Sequence, residues 1–313
     1  MRDMKTNRHG RVGLLGTAVA LAALLAGCDV TNPGPIQDEF VGDEAAQVGL
    51  IYGAQRSIAT AIGHDLFDMN LLSREVFPGG QIGAWGTNVQ VHAGNIQPEY
   101  GGGFTSYHTA RFIAETAVAR FTTAGASDAR MFQAHLWAGW AYRILGEWWC
   151  DAVVPSTDPT NTDAPPFYEG STDQYFQRAV EAFTSALGFA ATSDERQAAL
   201  AGRAQAYLWL GNWAAALADA AQVDADFTLK IEQDGSETPL YNYVYESNSG
   251  TFRSYTTDFT WFKDYYTTTG DPRTPWGTDP NFAVAVGSLS GFGQVPYHPQ
   301  KKFTSVWARM SHA

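Results

Sequence analysis

The residues best equipped for chemistry in this chain are aromatic rings with one polar edge: ten Trp and fourteen Tyr. Such rings lie flat against the apolar C–H faces of a sugar, while a few amide, carboxylate or guanidinium groups orient its hydroxyls. Three stretches offer that combination. "SREVFPGGQIGAWGTN" places Arg74, Trp85 and Asn88 in a Gly-rich segment, with Trp85 either a ligand platform or a ring plugging the scaffold. Tyr241, Tyr243 and Tyr245 alternate after a turn signal at Asp234 and Gly235, which predicts a strand with three phenols on one face, for sheet packing or for ligand contact. Trp261, Tyr265, Tyr266 and Trp276 form the third group, and Asp271 and Arg273 around Pro272 read as an ion pair or turn cap.

Other chemistries lack their residues. The seven His are scattered, with no H-E-x-x-H and no cysteine pair, so a zinc enzyme has little support. There is no G-x-S-x-G elbow and no Walker loop. Asp158 to Glu169 has acidic ends at EF-hand spacing but lacks the Gly at its sixth position and ligands at its third and fifth. Asp65 and Asp68 lie one helical turn apart on an expected solvent face, whereas glycoside hydrolysis needs carboxylates opposed across a cleft. The sequence reads as a binder that uses no metal and no cofactor.

Helices must position these rings. Met131, Ala134, Ala138, Ala141 and Leu145 step by three and four, predicting a helix over Asp128 to Leu145. Thr192 and Glu195 form a capping-box pattern opening a helix through Leu200, Ala204, Tyr207 and Leu208. "AYRILGEW" at Ala141 to Trp148 recurs as "AYLWLGNW" at Ala206 to Trp213, so both helices are expected to end at a glycine, Gly146 or Gly211. After Gly211, a second helix with Trp213, Ala216, Leu217 and Ala220 folds back, with Trp213 and Ala216 at a close crossing. The pair resembles a tetratricopeptide-type repeat. A third helix, Ser171 to Leu187, has a capping box at Ser171 and Gln174 and a stripe of Phe176, Val180, Phe183 and Leu187, and partners the first. The intervening "CDAVVPSTDPTNTDAPPFYEG" carries four prolines and reads as a surface loop.

Arg2, Lys5, Arg8 and Arg11 precede an uncharged run, Val12 to Ala26, the order of a bacterial secretory signal. The run falls short of the roughly 20 residues that span a bilayer. Leu25, Ala26, Gly27 and Cys28 then resemble the lipobox of bacterial lipoproteins, in which the cysteine thiol takes a diacylglycerol. Residues 1–27 thus read as a lipoprotein signal peptide, 28–37 as a linker after the lipidated Cys28, and 38–313 as one helical domain. Without residues 1–27, Cys150 is the sole remaining thiol, read as a small buried hydrophobe, so no internal disulfide can form. Sixteen basic residues then face thirty-one acidic ones, a net charge of −15 that repels nucleic acid. Asp29 after the anchor would favour inner-membrane retention under the sorting rule of some enteric bacteria.

Four features in this order resemble the SusD/RagB family of nutrient-binding outer-membrane lipoproteins: the lipobox with "CDVTNPGPI", "MFQAHLWAGWAYRILGEWWCDAVVP", "QAALAGRAQAYLWLGNWAAALADAAQV", and "GDPRTPW" at Gly270 to Trp276. The resemblance carried by their order extends over most of Cys28 to Lys302. The resemblance implies a mainly α fold: a tetratricopeptide-like helical repeat scaffold with an irregular loop and a short β-hairpin forming the ligand-binding face. It also implies a non-enzymatic protein, lipid-anchored at the outer-membrane surface, that delivers oligosaccharides or peptides to a SusC-like TonB-dependent transporter. Family members continue past a "KKF"-like segment into further helices, whereas this sequence stops at Ala313, which implies a scaffold short of part of its packing. The alternatives are a tetratricopeptide-type scaffold lipoprotein for envelope protein–protein interactions and a tethered hydrolase.

Overall fold

Phe183 sits where three helices meet, and it explains why two of them carry a glycine in mid-helix. In the computed structural model, which describes residues 44–80, 87–95, 103–149, 173–237, 240–286 and 295–312, its ring is fully buried. A Cβ on Gly139 or on Gly202 would meet that ring at under 3 Å, so only glycine lets the backbones close on it. Trp140 meets the same ring edge-on at 5.5 Å.

The helices around this point are α1 (Glu44–Leu72), α2 (Thr87–His92), α3 (Phe104–Thr123), α4 (Ala129–Trp148), α5 (Asp173–Phe189), α6 (Ser193–Trp209) and α7 (Trp213–Ala220). The fold is mainly helical, and the compact unit that holds these helices begins at Glu44. Contacts between successive long helices run in opposite directions: Asp65 reaches Gly103, Tyr142 reaches Glu115, His135 stacks on Phe189, and Arg203 pairs with Asp219. α1 and α3 to α7 therefore form an up-and-down array, each packed on the next. Ile58, Ala110, Phe121, Leu145, Ala179 and Ala199 lie in its buried core.

The sequence signals for α4 and α6 are present as capping geometry. The Asp128 side chain accepts from the Arg130 amide, and Thr192 and Glu195 form the reciprocal box. The two look-alike octapeptides nonetheless fold differently. Gly211 (φ 71°) ends α6, and Asn212 caps α7 by accepting from the Ala215 amide. Gly146, expected to end α4, stays helical, because Glu147 stands where Asn212 does and offers a helix former in place of a cap. Gly146 instead makes room for Phe176. The expected close crossing at Trp213 is also corrected: Ala216 is buried under α6, but Trp213 and Leu217 face outward. α5 is described from Asp173, so Ser171 lies outside the described residues, as does the loop from Cys150.

A smaller region packs on the end of α1. It contains β1 (Phe77–Pro78), β2 (Thr228–Glu232), α8 (Tyr243–Asn248), β3 (Tyr255–Thr256), α9 (Trp261–Thr269) and β4 (Trp307–His312). The expected hairpin is not found among the described residues: β1 pairs with β3 and β2 with β4, both antiparallel and both distant in sequence. The expected strand of tyrosines is a helix as well. Asn242 accepts from the Tyr245 amide and starts α8, so Tyr241, Tyr243 and Tyr245 share no strand face.

Asp65, expected on a solvent face, is buried. Its Oδ1 accepts from the Gly103 amide at 3.1 Å. Burial pushes its carboxyl up to about 6, against the smaller lowering effects of the Tyr107 hydroxyl and the Gly103 amide. A folded-state value above the unfolded one means that the folded chain holds this proton more tightly. Stability from this group is fully present below about pH 4 and is lost as pH rises to about 6, by about 3 kcal/mol.

Two outcomes are expected. Gly202→Ala should lose about 1–3 kcal/mol in urea unfolding, and much of that loss should disappear when Phe183→Leu accompanies it, since the two share one contact. Asp65→Asn, which keeps an acceptor for Gly103, should gain about 1–3 kcal/mol at pH 7.5 and nothing at pH 4; an equal gain at both pH values would refute the buried-charge account.

Candidate functional site

α1 ends in a Schellman arrangement: the Arg74 amide donates to the Leu71 carbonyl at 3.0 Å and the Glu75 amide to the Asn70 carbonyl at 3.1 Å. The left-handed position in this motif favours glycine, yet here it is Arg74, at φ 56°. Holding a side-chain-bearing residue there costs about 1–2 kcal/mol. Arg74 is exposed, and its neighbour Ser73 meets the start of α9.

Phe259 repeats the pattern on the facing segment. Its φ is 62°, and its ring is 73% exposed, an expensive conformation for a large apolar side chain. Its edge rests on Phe77 at 5.5 Å, and Phe77 meets His92 of α2 at 5.4 Å. Arg74 belongs to the same group, since His92 is shifted down first by burial and then by the Arg74 charge. Trp261, the first residue of α9, is half exposed and donates its indole N–H to the Ser73 carbonyl at 2.7 Å. Tyr265, one turn further on, is 6.4 Å from Trp261 and 41% exposed. Phe259, Trp261 and Tyr265 thus form an exposed row, tied through Trp261 to the residue before Arg74.

A buried polar cluster holds this row in place. Asp258 accepts from Lys263 and from the Nδ1 of His298, and Thr256 donates its hydroxyl to Asp258 at 3.0 Å. The Thr257 amide donates to the His298 carbonyl at 2.8 Å. Burial works against the Asp258 charge, but the bonds from Lys263 and His298 outweigh it and hold the carboxyl below its usual range. Behind them Trp276 stands half-buried, with Lys263 over its ring at 4.8 Å and His298 at its edge at 5.0 Å. At the other end of the row Asp271 is held at about 2 by the Arg273 side chain and amide, with the Tyr265 hydroxyl adding to it. Arg273 chelates Asp271 through Nε at 3.0 Å and Nη2 at 2.6 Å.

Of the residues singled out in the sequence, Arg74, Trp261 and Tyr265 come together here, and Asp271 with Arg273 is an ion-paired turn. Trp276 lies beneath the row as its support. Tyr243 is buried and stacks on His64 at 4.1 Å, and Tyr241 packs edge-on against it at 5.8 Å, so both serve the core between α1 and α8. Cys28 and Trp85 lie outside the described residues, as does the side chain of Asn88, whose backbone belongs to α2. Phe259 and Phe77 were not singled out, because nothing local marks a left-handed phenylalanine.

Among the described residues no cluster of His, Cys, Asp or Glu could hold a metal, and no helix is long and apolar enough to cross a membrane. The chain matches no protein-family model, and no curated protein shows significant similarity to it.

Arg74→Gly should relieve the strained turn and raise stability by about 1 kcal/mol, read as a rise of about 2–4 °C in the unfolding midpoint. A lower midpoint would show that the guanidinium contributes more to folding than its backbone costs.

Proposed function

We propose that this protein is a non-catalytic, lipid-anchored surface binder that captures oligosaccharides and hands them to a SusC-like TonB-dependent transporter in the outer membrane. The observation that carries the reading is the exposed row of Phe259, Trp261 and Tyr265 with Arg74 at its side, two of its four residues held at positive φ. Strain of this kind persists where surrounding structure fixes it, and here the Asp258–Lys263–His298 cluster does so. Exposed ring faces suit the C–H faces of sugar rings, and Arg74 and the Asp271–Arg273 pair supply donors and acceptors for hydroxyls. The helix pair α6–α7 and the array before it are consistent with a tetratricopeptide-type scaffold. The order of sequence features, from the lipobox at Cys28 to "GDPRTPW", supports SusD/RagB membership, and with it the anchor and the transporter.

A second reading has one observation of its own. Leu208, Trp209, Trp213 and Leu217 are all exposed on α6 and α7, a surface suited to a protein partner in an envelope scaffold.

Binding of a panel of soluble oligosaccharides and peptides, followed by calorimetry, separates the two. Saturable oligosaccharide binding weakened about tenfold by Trp261→Ala and by Phe259→Ala, with circular dichroism unchanged, is the expected result. Folded protein that binds no oligosaccharide would overturn the capture reading.

A further inference from the structure

Between α3, α4 and α5 lies a groove of about 340 Å³, within the size range of small-molecule sites. α4 packs on both of its neighbours and gives the groove its floor. Small side chains keep it open. Ala119 of α3, Ala138 of α4 and Ala182 of α5 each contribute only a methyl group where three helices face one another, and Val118 adds to the apolar wall.

The charges around the groove are unevenly paired. The Glu115 carboxylate accepts from Arg111 at 2.5 Å and from the Tyr142 hydroxyl, and Arg178 donates to that same hydroxyl at 3.3 Å. Burial pushes the Glu115 carboxyl up, while the Arg111 and Arg178 charges both pull against that effect. Two guanidiniums thus share one carboxylate, which leaves a positive charge in excess. Arg111 is buried, so Arg178 presents that excess: it is partly exposed, lines the groove, and makes no other hydrogen bond or ion pair among the described residues. One turn further along α5, Glu181 is exposed, lines the same groove, and has no hydrogen bond or ion pair among the described residues. Arg178 and Glu181 therefore stand as neighbours of opposite charge that do not pair with each other. His135, which lies parallel to Phe189 at 5.8 Å, is shifted down by burial and adds no charge at neutral pH.

We propose that this groove binds a free α-amino acid with an apolar side chain: its carboxylate accepts from Arg178, its ammonium donates to Glu181, and its side chain covers Ala119, Ala138 and Ala182. Spacing favours this ligand. Helix residues three apart hold their Cβ atoms about 5–6 Å from each other, a gap that the adjacent carboxylate and ammonium of an α-amino acid bridge. Charge excludes simpler molecules. An anion without an ammonium would meet Arg178 but stand beside the unmatched Glu181, and an amine without a carboxylate would meet Glu181 beside the excess guanidinium. A neutral alcohol or sugar would leave both charges without a counterion. The groove shares no residue with the aromatic row, and its ligand does not depend on what the row binds.

The test titrates the full chain at pH 7.5 by calorimetry with three probes: L-leucine, 4-methylpentanoate, which lacks the ammonium, and 3-methylbutylamine, which lacks the carboxylate. Leucine should bind saturably and about tenfold or more tighter than either analogue. Arg178→Gln and Glu181→Gln should each weaken leucine about tenfold, while Glu181→Gln should leave 4-methylpentanoate no weaker. Ala182→Leu, which fills the groove from its wall, should abolish leucine binding. Circular dichroism checks the fold of each variant, and if Arg178→Gln fails to fold, Glu181→Gln at its exposed position decides. Either analogue binding as tightly as leucine, leucine binding indifferent to Glu181→Gln, or no saturable leucine binding by folded protein would each overturn the proposal.

Discussion

The clamp on Phe183 sets the geometry of the helical array. α4 and α6 do not touch a neighbour of ordinary width at this level: each presents a glycine, and one ring on α5 fills both gaps. The arrangement fixes the distance of α5 from both partners at one height, and the antiparallel course of the chain then fixes every other level. Below it Gly146 receives Phe176, and above it His135 lies parallel to Phe189. Close packing of this kind tolerates little change in volume, because a void or an extra methylene has nowhere to be absorbed.

The aromatic face depends on a different principle. Helical packing brings α1 to its end, but the two positive-φ residues there are held by polar contacts. Arg74 is fixed by the Schellman bonds of α1, and Phe259 by the charged knot of its neighbour Asp258. Trp261 ties the two segments together through one indole bond to a carbonyl left free at the helix end. A small set of charge-assisted bonds therefore displays rings that the hydrophobic effect alone would bury.

Local signals in the sequence were reliable where the structure obeys local rules. Asp128 and the Thr192–Glu195 box stand where helices begin, and the apolar steps of α4 match its buried face. Legibility failed where a single side chain overrode a pattern. Alternating tyrosines suggested a strand, but Asn242 supplied a cap and the segment coiled. The repeat suggested two helix ends, but Glu147 continued the first. Of the candidate site, Arg74, Trp261 and Tyr265 were visible as residue types. Phe259 was not, because its conformation rests on His298, forty residues further along the chain from Asp258.

That distance bears on how the molecule comes into being. The contacts of α1 and α3 to α7 join neighbours in sequence, so they can form as the chain emerges. The contacts that complete the aromatic face and the β2–β4 pair wait for residues 295–312. At cellular synthesis rates some seventy-five further residues take on the order of ten seconds. During that interval the ribosome carries the packed helices α1 and α3 to α7 while the row of Phe259, Trp261 and Tyr265 is still unassembled, and the row appears only once residues 295–312 fold back.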